Sequence, residues 1–290
     1  MRKKLVVEEL FGPGVEILQE LGPSVLEVRV QGVERVLKFF DFKGAAEKTR
    51  VFQGFVREKG FFTPKIFSLR SAKGTHVLEM EKAPGFSGFG YWKHSGEKKA
   101  LVLSLASATA KLHLIKPSFS IKRRYWKTGF LGWSDFVASE VKRLSSLAFR
   151  KGFIGSVLEK KISSFAGEIV LPEITPCIVH GDFWLDNVFF NEHNKVSSVV
   201  DWQASFLGDP CFDVAVAAEH LDLHSSNYSR LFFEGYVSAG GVLGSDFEVC
   251  SKVYLAWHFL KIVASADVNG EDPRTIQRLV SRIKGFVGVC

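Results

Sequence analysis

The sequence predicts an α+β protein of two lobes, a small antiparallel β lobe over residues 1–84 and a larger, mainly helical lobe over residues 85–290. Three observations predict it. Short β-rich runs separated by turn dipeptides occupy the stretch from Gly22 to Met80. Pro84-Gly85 closes that stretch with a pair through which neither strand nor helix continues readily. Beyond it, longer segments with helical apolar spacing replace the short runs. A length of 290 residues suits either one large domain or two lobes, and the change of pattern favours two.

Residues 1–21 mix apolar and acidic positions without a clear period, so helix and strand both fit. Val25 to Val30 and Glu34 to Phe40 read as strands around a Gln31-Gly32 hairpin turn. The second strand carries Lys38 between Leu37 and Phe39. That lysine is either an edge-strand charge facing water or a cation that grips nucleotide phosphates. Gly44 to Lys59 has a helical stripe of Ala45, Val51, Phe52, Phe55 and Val56, stopped by Gly60. Glu47 in its first turns either complements the helix dipole or pairs with Lys38. Pro64 to Phe67 and His76 to Met80 read as further strands, with Ala72-Lys73-Gly74 as their turn.

Residues 86–98 form a Gly- and aromatic-rich connection, and Lys99 to Ile115 reads as a buried helix with His113 as a core histidine. Helical patterns follow at about 132–149 and 154–168. Asp209-Pro210 reads as a helix start, an acidic cap followed by proline in the first turn, for a helix to about His220. Further helices are expected near 227–238, 246–265 and 272–287. Glu219, Asp222 and His224 are expected to be helix-end residues, with contact to a cationic substrate as the other reading.

Composition sets outer limits. Apolar residues make up 46% and charged residues 24%, and 27 Phe supply ample core material, which excludes disordered and collagenous classes. The net charge of +7 suits a phosphate-bearing partner. Its basic residues are scattered, and Lys122-Arg123-Arg124 reads as a solvated loop or helix end, so nucleic acid is not the expected partner. Cys177, Cys211, Cys250 and Cys290 lack any metal-ligand spacing and read as reduced thiols. Glu8 and Glu9 interrupt the apolar start that Met1-Arg2-Lys3-Lys4 would need to be a signal segment. No apolar run is long enough for a membrane span, so a cytoplasmic, soluble protein is expected.

Chemistry concentrates in Cys177 to Gln203, CIVHGDFWLDNVFFNEHNKVSSVVDWQ. Ile178-Val179 leads into His180-Gly181-Asp182, and Val188 to Phe190 and Val196 to Val200 flank an Asn191 to Asn194 turn as a β-hairpin. Asp182, Asn187 and Asp201 thereby sit at strand ends, expected to converge at one end of a small sheet. Asn and Asp oxygens are hard ligands, suited to Mg²⁺ with a bound phosphate completing its shell. Phosphoryl transfer needs a carboxylate that takes the acceptor's proton, a divalent cation on the phosphates and a lysine holding the nucleotide. Asp182 fits the base, Asn187 and Asp201 the metal ligands, and Lys38 the phosphate grip.

His180-Gly181-Asp182 with Asn187 five residues after the Asp, followed by Val199-Val200-Asp201-Trp202-Gln203, resembles the aminoglycoside phosphotransferase and choline kinase superfamily. Met80-Glu81-Lys82-Ala83-Pro84-Gly85 is similar to that family's hinge, and Gly208-Asp209-Pro210 with Asp213 to the segment after its metal-binding Asp. The resemblance runs from about residue 20 to 220. It implies a protein-kinase-like fold, ATP between two lobes, catalysis by Asp182, and Mg²⁺ on Asn187 and Asp201. Lys38 would meet the phosphates, and the backbone of Glu81, Lys82 and Ala83 would meet adenine. His180 would brace the loop, with Asp209 and Asp213 structural.

Gly22-Pro23-Ser24-Val25 departs from the family's glycine-rich phosphate loop and leaves Ser24 as its candidate donor. Phe183-Trp184-Leu185-Asp186 replaces the basic loop of protein kinases, which favours a small-molecule acceptor. The expected activity is transfer of the ATP γ-phosphate to a hydroxyl of an amino sugar, sugar, amino alcohol or aminoglycoside. A catalytically weak, nucleotide-binding pseudokinase is the alternative.

Overall fold

The computed structural model describes residues 2–126, 132–269 and 272–288. The ambiguous N-terminus contains both elements, helix α1 (Arg2–Phe11) and strand β1 (Glu16–Gly22). Strands β2 (Val25–Val30) and β3 (Val33–Phe40), helix α2 (Lys43–Glu58), and strands β4 (Ile66–Ala72) and β5 (Thr75–Met80) follow. They build a five-stranded antiparallel sheet in the order β1-β2-β3-β5-β4. Gln31-Gly32 and Lys73-Gly74 make its tight turns with positive φ at both residues, the backbone hand that matches strand twist. Ala72, expected in the second turn, is instead the last residue of β4, because it pairs with Thr75.

Alternation along the strands sorts this sheet into two faces. Leu26, Val28, Leu37, Phe39 and Val77 bury against Val6 and Val7 of α1. Phe40, Leu78 and Met80 bury with Ala46 of α2 on the other. Gly60, at φ 82, ends the turn after α2.

The 86–98 connection is more ordered than its composition suggests, containing β6 (Phe86–Ser87) and α3 (Gly88–His94). Next come α4 (Lys98–His113), α5 (Phe119–Tyr125), α6 (Trp133–Arg150), α7 (Ser156–Glu168) and β7 (Cys177–Val179). Strands β8 (Val188–Phe190), β9 (Val196–Val199) and β10 (Phe206–Gly208) precede α8 (Cys211–Asp222), α9 (Ser226–Ser238), α10 (Phe247–Asn269) and α11 (Pro273–Phe286). The basic run Lys122-Arg123-Arg124 is the last turn of α5.

The stretch around residues 177–203 is not one small sheet. β7 pairs with β10, whereas β8 pairs with β9 and β6. The predicted hairpin itself is present, turning at Asn191 to Asn194 with Phe190 opposite Val196.

The residues group into two compact units. The first comprises 1–115, 182–205 and 230–240, and the second 116–181, 206–229 and 241–290. The second has its own core, in which α10 packs on α6, α8 and α11. Trp133, Phe136, Phe212, Tyr254 and Trp257 form its aromatic centre. Cys177, Cys211 and Cys250 are free and buried, with burial pushing each thiol up; Cys290, like Met1, lies outside the described residues. Among the described residues no helix is long and apolar enough to cross a membrane.

Candidate active site

In the first unit, Lys38 lies on β3 opposite Val25 of β2 and Leu78 of β5. That interior position overturns the edge-strand reading. Lys38 is 4% exposed, and its ammonium donates to Asp201 Oδ1 at 2.5 Å. A lysine this buried requires such a partner, since desolvating an unpaired ammonium is costly.

Asp201 leaves β9 in a left-handed conformation, φ 63 and ψ 61, which Asp adopts more readily than most side chains. Its surroundings hold it there. Trp202 is fully buried, donates from Nε1 to the Val199 carbonyl at 3.1 Å and meets the Phe61 ring edge-on. The Val199 amide donates to the Phe62 carbonyl at 2.8 Å.

The β8–β9 hairpin brings the second ligand candidate alongside. Val188 pairs with Val199, and the Val200 amide donates to the Asn187 carbonyl at 2.9 Å. Asn187 Nδ2 in turn donates to the Asp182 carbonyl at 2.9 Å and to Asp182 Oδ2 at 2.8 Å. The polar contacts thus form two pairs, Asp182 with Asn187 and Asp201 with Lys38, and the backbone bond from Val200 to Asn187 holds the strand ends that carry them side by side. Beside them, burial raises the Asp186 carboxyl above its usual range, opposed by nearby Lys93.

The donor chemistry of Asn187 and Asp201 fits Mg²⁺, which takes few protein oxygens and completes its shell with water and phosphate. Among the described residues no cluster of three or more His, Cys, Asp or Glu suggests a self-sufficient metal site.

In the second unit, Asp213 holds the chain just before Asp182. Its two carboxylate oxygens accept the amides of His180 at 2.7 Å and Gly181 at 2.8 Å. Both Asp213 and His180 are fully buried, and Gly181 turns at φ 82. Asp209 Oδ1 accepts the Cys211 amide at 2.9 Å at the start of α8. Its Oδ2 accepts the Tyr254 hydroxyl at 2.6 Å, and that hydroxyl accepts from Trp133 Nε1 at 2.8 Å. Both carboxylates accept bonds from the protein's own buried donors, the arrangement a structural role requires.

Residues 81–85, the expected hinge, belong to the first unit. The Glu81 amide donates to the Lys65 carbonyl at 2.8 Å, and the Glu81 carboxylate accepts the Lys65 amide at 3.0 Å. Lys82 points its ammonium at Glu27 and Glu34, at 2.6 and 3.0 Å. Ala83 is half-buried. Gly85 has φ 98, and a Cβ there would lie 2.5 Å from the Phe190 carbonyl and Ser197 Oγ. Only glycine fits that approach. Ser197 Oγ also donates to the Pro84 carbonyl at 2.6 Å, so the hinge's end is pinned to the β8–β9 hairpin.

Ser24 turns the chain into β2, and its carbonyl accepts the Phe39 amide at 2.8 Å, one residue from Lys38. Glu47 forms an ion pair with Lys43 at 3.8 Å. Sequence reasoning missed Glu27 and the Phe61-Phe62 support. Glu27 was detectable only by noting that it shares strand parity with Val25, the partner of Lys38.

A family model described as "Phosphotransferase enzyme family" matches residues 21–251. Among solved structures, aminoglycoside phosphotransferase APH(4)-Ia superposes with a TM-score of 0.71 at 16% identity, covering 99% of this chain and 97% of that chain. Its thermostable mutant in ternary complex with AMP-PNP and hygromycin B gives 0.69 at 15% identity, covering 99% and 98%. These likenesses show a protein-kinase-like fold. Among curated proteins, mouse acyl-CoA dehydrogenase family member 11 is 30% identical over 161 residues, 53% of this chain and 19% of the relative. Mouse acyl-CoA dehydrogenase family member 10 is 50% identical over 50 residues, 17% of this chain and 5% of the relative. The chain thus spans a fifth or less of the length of these two relatives.

Proposed function

Because the chain belongs to the phosphotransferase enzyme family, we propose that it transfers the γ-phosphate of ATP to a hydroxyl of a small molecule such as an amino sugar, sugar, amino alcohol or aminoglycoside. The observation that carries this reading is the pairing of Asp182 with Asn187 and of Asp201 with Lys38 at adjoining ends of the β8–β9 hairpin. Solved relatives bound to AMP-PNP or ADP together with hygromycin B support nucleotide and hydroxyl-rich acceptor classes.

In this mechanism Asp182 accepts the proton of the attacking hydroxyl, and Asn187 Nδ2 fixes which carboxylate oxygen faces it. Asn187 Oδ1 and the Asp201 carboxylate would hold Mg²⁺, which when bound neutralises phosphate oxygens. Lys38 turns its ammonium from Asp201 toward the α- and β-phosphates, with Ser24 donating from the neighbouring turn. The Glu81 amide is already committed to Lys65, so adenine recognition falls to the Glu81 carbonyl and the Ala83 amide. Residues 1–84 serve the nucleotide, and residues 85–290 supply catalysis and acceptor binding. The pseudokinase alternative has no observation in its favour, since Asp182, Asn187 and Asp201 are all present and Asp182 and Asn187 are bonded to each other.

The test is an ATP-consumption screen over sugars, amino sugars, amino alcohols and aminoglycosides with Mg²⁺. Turnover above the acceptor-free rate with one class is expected. No turnover, together with no binding of Mg²⁺–AMP-PNP, overturns the reading.

A further inference from the structure

A buried carboxylate shares the sheet face of Lys38 and belongs to no role assigned above. Alternation and register place Val25, Glu27 and Arg29 of β2 on one face with Glu34, Val36 and Lys38 of β3. Glu27 is 3% exposed. Its carboxylate accepts Gln19 Nε2 from β1 at 2.6 Å and the Lys82 ammonium at 2.6 Å.

The reach of Lys82 is the informative part. Lys82 leaves the end of β5, and β3 lies between β5 and β2 in the sheet. Its side chain therefore crosses β3, meeting Glu34 at 3.0 Å on the way to Glu27. Arg29 lies 3.7 Å from the same Glu34. One lysine thus ties the start of the hinge to two strands of the Lys38 face. Its backbone neighbours Glu81 and Ala83 are the groups assigned to adenine.

We propose that Glu27 is a positioning residue for the nucleotide: through the Lys82 ammonium it sets the distance between the hinge backbone and the sheet face that carries Lys38. The inference rests on the phosphotransfer reading of that face. A purely solvated pair would leave Glu27 exposed. Here the carboxylate is covered and doubly bonded, and the hydrogen bonds from Lys82 and Gln19 hold its carboxyl below the usual range. Gln19 fixes the carboxylate from β1 and Lys82 bonds it from the hinge, so losing Glu27 releases the hinge side chain from the sheet.

The test measures Mg²⁺–AMP-PNP affinity by titration calorimetry, and the unfolding midpoint, in wild type, Glu27→Gln, Lys82→Met and Lys82→Arg. Glu27→Gln and Lys82→Met are each expected to weaken affinity about 10-fold, the size of one lost charge-assisted hydrogen bond. Lys82→Arg, which keeps the charge and the donors to Glu27 and Glu34, is expected to stay near wild-type affinity. Wild-type affinity in both Glu27→Gln and Lys82→Met, or a lower unfolding midpoint with unchanged affinity, overturns the proposal alone. Wild type that binds no nucleotide overturns both this proposal and the phosphotransfer reading.

Discussion

Lys38 and Asp201 lie 163 residues apart in sequence and 2.5 Å apart in space, with the lysine almost fully buried and the aspartate about one-third exposed. The pair is asymmetric. Removing the aspartate strands a buried cation, while removing the lysine leaves a carboxylate that water still reaches. Asp201→Ala should therefore destabilise the fold by roughly 3 kcal/mol and Lys38→Met by clearly less, measured by urea unfolding. Asp201→Ala should also weaken AMP-PNP binding in a magnesium-dependent way. An affinity unchanged across a magnesium titration would remove Asp201 from the ligand set.

Asn187 Nδ2 holds Asp182 by donating to both its carbonyl and its Oδ2. Asp182→Ala should leave AMP-PNP affinity near wild type while lowering transfer by about 10²- to 10⁴-fold. Single-turnover phosphate transfer to the acceptor found in the screen measures this. Full turnover by the variant would exclude Asp182 as the base.

Asp213 accepts two buried amides in the turn before Asp182. Asp213→Ala leaves both donors without that acceptor, each at a cost of about 1–3 kcal/mol. A loss of roughly 2–6 kcal/mol in unfolding free energy is expected. An unfolding midpoint equal to wild type would show that the brace is dispensable.

His220 of α8 and His258 of α10 face each other, ring centroids 6.1 Å apart. Burial holds the His220 imidazole down to about 4, with His224 adding to the shift, and burial pushes His258 down as well. The unfolded chain therefore binds more protons than the folded one below the ordinary histidine value. Stability from neutral His220 is complete above about pH 6.5 and is lost as pH falls toward 4, on the order of 3 kcal/mol. Unfolding free energies of wild type and His220→Gln should converge over that window as pH falls. Parallel curves would show that the histidine does not titrate between the two states.

Much of the fold was legible because its cues are local. Gln31-Gly32, Gly60 and the Asn191 to Asn194 turn announce themselves through backbone chemistry, and the long helices through apolar period. Strand pairing was less legible. β7 looks continuous with the hairpin in sequence, yet its three residues pair with β10, since short apolar strands carry no register of their own. Helix α3 was hidden for a related reason: Gly88 and Gly90 depress local propensity, while packing against the turn at Leu185 decides the outcome.

By itself the sequence determined the chemistry: an Asp, an Asn and an Asp at strand ends, a lysine in an apolar strand, and the turns that separate them. Those properties belong to residue types and short spacings. Tertiary structure alone decided that Lys38 is interior, that Asp213 braces the turn before Asp182, and that Lys82 reaches across β3 to Glu27. Each is a contact between distant segments, and only the packing that buries Lys38, Asp213 and Glu27 determines which partner each one meets.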